Sequence, residues 1–244
     1  MPLILRIDCD NAYNRCDKGR VSRLIKLALN YLNENYIAPH WRILGYLEHF
    51  YKFIDYLKSI GVRASIFFKY ITLPSRDYVK TLISYGFEVG MHLYSATNES
   101  EFFKELERVR KGLGVSIEGF SKHGHGERRL SRKHAWHYEP EKYIKWGIKA
   151  GLKYFSGNTP GVKAETKVFT GKFTYVPQVF CVEPSSRRVK ASIDEVVDHV
   201  NSGGLSVALV HPINWFASGD VRRELDRLLS KVRDIKTFKE LLCR

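Results

Sequence analysis

Residues 56–96, YLKSIGVRASIFFKYITLPSRDYVKTLISYGFEVGMHLYSA, carry the pattern that decides the fold. Apolar residues from Leu44 to Ser59 recur at helical spacing, and Gly61 ends that helix. Val62 to Phe68 is a short apolar strand. Ser75 to Tyr85 is a second helix, stopped by Gly86, and Phe87 to His92 is a second strand. Two strands joined through one helix by short connections predict a parallel pair. The same alternation extends outward in both directions. Upstream lie a strand over Leu3–Ile7 that ends at Asp8 and a helix over Val21–Leu32. Downstream, Ser100–Lys111 reads as a helix closed by Gly112 and Gly114, and Ile117–Phe120 as a strand. Helix Pro140–Ala150 and strand Leu152–Ser156 follow. An irregular stretch then holds two strand-like pieces, Phe173–Val176 and Val179–Val182. Helix Ser192–Val200, with Ser192 and Glu195 as a capping box, leads to a last strand, Leu205–Val210, and a basic helix over Asp220–Val232. The expectation is an α/β parallel sheet or barrel, and residues 1–244 are expected to form one domain.

The chain has 244 residues, of which 40 are Lys or Arg and 26 Asp or Glu, for a formal charge of +14. Hydrophobic residues make up 44%, which excludes intrinsic disorder. No apolar run approaches the roughly 18–20 residues of a membrane span. The N-terminal residues lack the basic, apolar and cleavage segments of a signal peptide, so a cytoplasmic protein is expected. Cys9, Cys16, Cys181 and Cys243 form no C-x-x-C pair, which points to reduced thiols. The charge invites a nucleic-acid reading. However, nine of the basic residues fall in 122–153 and eight in the last 24 residues. The first cluster suits an anionic sugar at a barrel mouth and the second the solvated face of a helix, so no nucleic acid is expected.

In parallel α/β folds the chemistry sits at the C-terminal ends of the strands. Here those ends deliver only aspartates and histidines. Asp8 and Asp10 follow the first strand, His92 ends the third, His123 and His125 follow the fourth, and His211 ends the last. Residues two apart on a strand share a face, so Asp8 and Asp10 point into one cavity. A single such residue is usually an ordinary polar loop position. Carboxylates and imidazoles from several strand ends instead suit a divalent metal with an acid/base pair.

The segments GVRASIFF and YGFEVGMHLYSA, in that order, resemble the polysaccharide deacetylases, the chitooligosaccharide deacetylase-like carbohydrate esterases. ILRIDCDNA resembles the family's opening strand with its two aspartates, and VALVHP its closing strand ending in His. The similarity spans most of residues 3–216. It implies a distorted (β/α) barrel of about seven strands and metal-assisted removal of acetyl groups from a carbohydrate. The metal would be zinc, with cobalt or manganese as alternatives. By the same resemblance Asp8 is the general base, Asp10 and His92 are metal ligands, and His211 is the general acid.

Three positions depart from the family pattern. Cys9 separates the aspartates. The family's second ligand histidine falls at Ala96, leaving His123, or else His125, to complete the metal site. The family's Arg near the fourth strand falls at Ser121, with Lys122 as substitute for substrate contact. Trp215, just after His211, is a candidate for lining the substrate pocket, although a core role suits a Trp equally. His40 and His49 read as surface or packing residues.

Other readings compete. The loss at Ala96 favours a catalytically inactive carbohydrate- or anion-binding module on the same fold. Asp8-Cys9-Asp10 also resembles the first motif of haloacid dehalogenase-type phosphatases, but the late strand ends in His211-Pro212 rather than in acidic residues. A lesion-bypass polymerase reading through Ser192–Glu195 fails because that stretch has a helical period and a capping role. The partner expected is an acetylated carbohydrate or an anionic sugar intermediate.

Overall fold

A computed structural model of the chain describes residues 1–14, 20–35, 40–124 and 138–243. The strands are β1 (Leu3–Cys9), β2 (Ser65–Phe68), β3 (Glu88–Leu93), β4 (Gly119–Lys122), β5 (Tyr154–Pro160), β6 (Lys167–Phe169), β7 (Phe173–Cys181), β8 (Ser206–Val210) and β9 (Ile235–Lys236). Seven of them close a parallel barrel in the order β1-β2-β3-β4-β5-β7-β8 and back to β1. β6 is an antiparallel flap on β7. The expected distorted (β/α) barrel is therefore the observed fold.

The barrel seam is where the distortion sits. β1 pairs with β2 only over Arg6–Cys9, while Leu3 and Ile4 pair with β9 instead. The short helix Phe238–Leu242 that follows closes the base. Phe238, fully buried, stacks on Tyr154 with ring centroids 4.8 Å apart. Its backbone N–H donates to Ser65 Oγ (2.9 Å), and the next amide, of Lys239, donates to Glu88 Oε2 (3.0 Å).

Alternation along each strand sorts side chains between two layers. On β1, Leu3, Leu5, Ile7 and Cys9 face the helices, whereas Ile4 joins Phe67, Tyr154, Val176, Val207 and Phe238 inside. Glycine makes room for this filling. A Cβ on Gly119 would lie 2.1 Å from the Tyr154 ring. Above that plug the inward column turns polar, and Arg6, Asp8, His92, Ser121 and Ser156 are all buried.

Several boundaries differ from those expected. The fourth strand runs over Gly119–Lys122 rather than Ile117–Phe120, because pairing with β5 starts only at Gly119 and pairing with β3 only at Phe120. Ile117 is buried but unpaired, so its hydrophobicity reports packing and not ladder position. The two strand-like pieces around residue 177 are one strand. Pro177 falls where the β5–β7 register shifts, so its missing N–H costs no ladder bond. Helix Glu48–Ser59 starts later than expected, since a 3-10 turn over Arg42–Leu44 ends at Gly45 in the left-handed region. Helices Pro212–Ala217 and Phe238–Leu242 and strand β9 lack a clear sequence signal and were not expected.

Candidate metal centre

Asp10 leaves β1, His92 lies in β3, and His123 follows β4, which places one donor from each of three strand ends at the same point. His92 Nε2 and His123 Nδ1 approach Asp10 Oδ1 to 3.0 and 2.9 Å, and each other to 3.2 Å. Asp10 Oδ1 is buried and still makes no well-angled hydrogen bond. Ligand atoms around a tetrahedral ion at 2.0–2.2 Å lie about 3.4 Å apart. One carboxylate and two imidazoles at nearly that spacing, with an orphaned oxygen among them, fit a divalent metal such as zinc. His125, the alternative third ligand, lies outside the described residues.

Electrostatics agree with this role. Burial pushes His92 and His123 below the usual histidine range, His123 well below it, so both are neutral donors. Burial alone would raise the Asp10 carboxyl, but His123 and the Lys69 ammonium outweigh it and hold it well below the usual range. Lys69, buried one residue beyond β2, reaches Asp10 Oδ1 at 3.2 Å and His123 Nε2 at 3.3 Å. The sequence reading missed it, because a lysine just past a strand looks like solvated loop.

Asp8 is held rigidly. Arg6 grips it through two bonds, Nε to Oδ1 (3.0 Å) and Nη2 to Oδ2 (2.6 Å), and Ser121 Oγ donates to Oδ1 (3.2 Å). Burial raises its pKa, but Arg6 and His92 reverse that and leave it lowered. Arg6 also donates to the Gly157 carbonyl (2.6 Å) and to Asn158 Oδ1 (2.9 Å), which ties β1 to β5. The sequence signal was available: Arg6, Asp8 and Asp10 sit two apart on one face. Arg6 is the cation at Asp8.

His211 completes the opposite wall. Its Nδ1 contacts both oxygens of the fully buried Glu183 (2.9 and 3.1 Å), and the His211 backbone N–H donates to the same carboxylate (2.6 Å). Nε2 is left facing Asp10 Oδ2 at 3.4 Å. Burial opposes the charged imidazole, but Glu183, Asp10 and Asp8 together push its pKa up to about 10. Glu183 had no sequence signal, since it lies in the stretch that read as irregular.

These groups line a cavity of about 280 Å³, walled also by Asn158, Val179, Cys181, Arg188 and Leu209. Of the two expected substrate contacts, Lys122 lines this cavity and Trp215 does not. Lys122 borders the cavity, but its side chain is buried, and its ammonium donates to the His123 carbonyl. Burial lowers that ammonium's pKa to about 8. It occupies the strand face opposite Ser121 and braces the wall. Trp215 is turned outward, because helix Pro212–Ala217 begins directly after His211 and carries the chain into the helix layer. There it packs against the tilted ring of Phe53 and stacks on Tyr56, with centroids 5.0 and 5.2 Å away.

No family model matches the sequence, and no curated protein matches it. Solved structures do match in fold. A probable polysaccharide deacetylase from Pseudomonas aeruginosa PAO1 aligns over 99% of this chain and 89% of its own, with a TM-score of 0.59 at 9% identity. A putative polysaccharide deacetylase from Mycobacterium smegmatis aligns over 99% and 88%, with a TM-score of 0.57 at 13% identity. A mutant of a CE4 family pseudoenzyme with restored enzymatic activity aligns over 99% and 67%, with a TM-score of 0.51 at 12% identity. The class is thus fixed at the level of architecture: the chain has the fold of the CE4 polysaccharide deacetylases.

Proposed function

We propose that this protein is a metal-dependent hydrolase that removes an acetyl group from an N-acetylated sugar or related carbohydrate. The observation that carries this reading is the convergence of Asp10, His92 and His123 on one point beside Asp8 and His211. Asp10, His92 and His123 would hold the ion. When bound, it would polarise the acetyl carbonyl and make a water acidic enough to attack it.

The chain's own groups account for the proton traffic. Asp8 is ionised and fixed by Arg6 and Ser121, as a base must be before it takes a proton from water. His211 holds a proton at neutral pH. Glu183 takes Nδ1, so the proton on Nε2 faces the cavity, where a leaving amine would accept it. The apolar wall of Val179 and Leu209 would exclude water from the acetyl methyl.

A second reading has its own support. Lys69 already sets a cation against two of the three ligand residues, and Ala96 leaves the family's usual ligand absent. Both favour a binding module without catalysis. Metal content and acetate release separate the two. The enzyme reading expects about one zinc, cobalt or manganese per chain after supplementation, lost in Asp10→Ala and His92→Ala, with acetate released from N-acetyl sugars or their nucleotide conjugates. Absence of bound metal after supplementation would leave the binding module standing.

A further inference from the structure

Ser121 and His92 are direct partners in the β3–β4 register, and both side chains point into the barrel, where both are fully buried. In sequence, position 121 is notable only for the arginine it lacks. In the structure its hydroxyl stands between His92 and Asp8. Ser121 Oγ lies 2.6 Å from His92 Nδ1 and 3.2 Å from Asp8 Oδ1. On the far side of the same imidazole, His92 Nε2 meets His123 Nδ1 at 3.2 Å, and His123 Nε2 meets the Lys69 ammonium at 3.3 Å. Four hydrogen bonds thus run unbroken from Lys69 through His123, His92 and Ser121 to Asp8.

The two ends of this chain fix its direction. An ammonium can only donate, and a carboxylate can only accept. His123 Nε2 therefore accepts from Lys69, so the His123 proton sits on Nδ1 and is donated to His92 Nε2. His92 then carries its own proton on Nδ1 and donates it to Ser121 Oγ, whose hydroxyl donates to Asp8. Reversing the middle links alone would set two protons, or two lone pairs, face to face in a buried site. His92 is thereby held with a bare Nε2 at the point it shares with Asp10 and His123, in the tautomer that a metal ion needs. Asp10 Oδ1 stands 3.0 Å from that nitrogen and takes no hydrogen bond, so two acceptors face each other where a cation would sit. Without the hydroxyl, the nearest acceptor left for Nδ1 is Asp8 Oδ2 at 3.6 Å, too far for a good hydrogen bond. The ring would then gain by moving its proton to Nε2, toward Asp10 and into the place of the metal.

We propose that Ser121 is the positioning residue of this centre. Its hydroxyl locks the His92 imidazole in the Nδ1–H form, aims Nε2 at the metal and orients Asp8 through the same chain. The proposal rests on the metal-centre reading above. Two readouts test it, and neither needs catalysis. Zinc competition with a chromophoric chelator should show an affinity about 10- to 100-fold lower in Ser121→Ala. Ser121→Thr, which keeps the hydroxyl, should recover most of the loss. Ser156→Ala removes a buried hydroxyl from the neighbouring strand, one that faces Arg6 rather than a histidine, and should bind zinc as wild type does. Long-range proton–nitrogen correlation spectra of the metal-free protein, with His92 assigned by its loss in His92→Gln, give the second readout. They should place the His92 proton on Nδ1 in wild type and on Nε2 in Ser121→Ala. If Ser121→Ala keeps its proton on Nδ1, or binds zinc within about twofold of wild type, the proposal fails while the metal centre stands. If wild type takes up no zinc, both fail together. Loss of the alanine variant's fold directs the test to Ser121→Cys, close in size but a weak donor and acceptor, where wild-type affinity would overturn the proposal.

Discussion

Lys69 places an ammonium 3.3 Å from Nε2 of His123, and an ammonium has only donors to offer. Nε2 must therefore accept, and the proton of neutral His123 sits on Nδ1, the atom that would bind metal. Ligation requires Lys69 to surrender this contact, and its charge repels a cation besides. Lys69→Met should tighten zinc binding by roughly tenfold, read by competition with a chromophoric chelator. A weaker affinity would mean that Lys69 is needed to position Asp10. His211 gives a prediction in pH. Its folded pKa is raised to about 10, from about 6.5 when unfolded. Its stabilising contribution is therefore complete below pH 6.5 and is lost as pH rises through 10. Metal-free wild type should lose denaturant stability across that window, and His211→Gln should flatten the slope. In the loaded enzyme the same substitution should lower kcat by about 100-fold or more, measured as acetate release. Asp8, Asp10, His92 and His211 were legible as strand-end residues because alternation and strand direction place them, whereas the choice of His123 over His125 leaned on the family resemblance. Arg6, Lys69 and Glu183 were not singled out. Each acts through a partner far away in sequence or next to an unremarkable loop.

Among elements, the short helix Phe238–Leu242 shows what periodicity misses. Five residues are too few to display a helical stripe, and the signal is one Phe and the Thr237–Glu240 capping box. Yet Phe238 fills the barrel base against Tyr154 and Phe67. Phe238→Ala should cost about 3–5 kcal/mol in urea unfolding, with metal binding in the folded protein unchanged. A cost below 1 kcal/mol would mean that the base collapses around the gap. The longer elements were legible where a cap or a glycine marked them. Ser192 and Glu195 make the expected capping box, and Gly114 ends its helix in the left-handed region. Gly112, expected as a stop, lies inside that helix, since a glycine can be tolerated there when Leu73 packs over it. Helix Arg20–Asn35 followed its apolar period, but the period does not tell which face turns inward. Asn30 and Asn33 decide that through backbone groups of distant segments.

At the scale of the whole molecule, a ligand that binds only the folded chain stabilises it. Zinc at about 100 times its dissociation constant adds about 2.7 kcal/mol. For a protein of this size that is a Tm increase of about 5–10 °C. Scanning calorimetry should show it in wild type and not in Asp10→Ala, and equal shifts in both would place the metal elsewhere. Among the described residues no helix is long and apolar enough to cross a membrane. The seam between β1, β2 and β9 has a consequence for how the molecule is made. β1 emerges first from the ribosome, but its partners are residues 65–68, 206–210 and 235–236. Until the last of these is synthesised, the strand that carries Asp8 keeps an open edge, the kind that recruits other nascent chains. Such distant pairing makes closure slow. The barrel should therefore assemble late, after translation of β9, and depend on protection of its first strand while it waits.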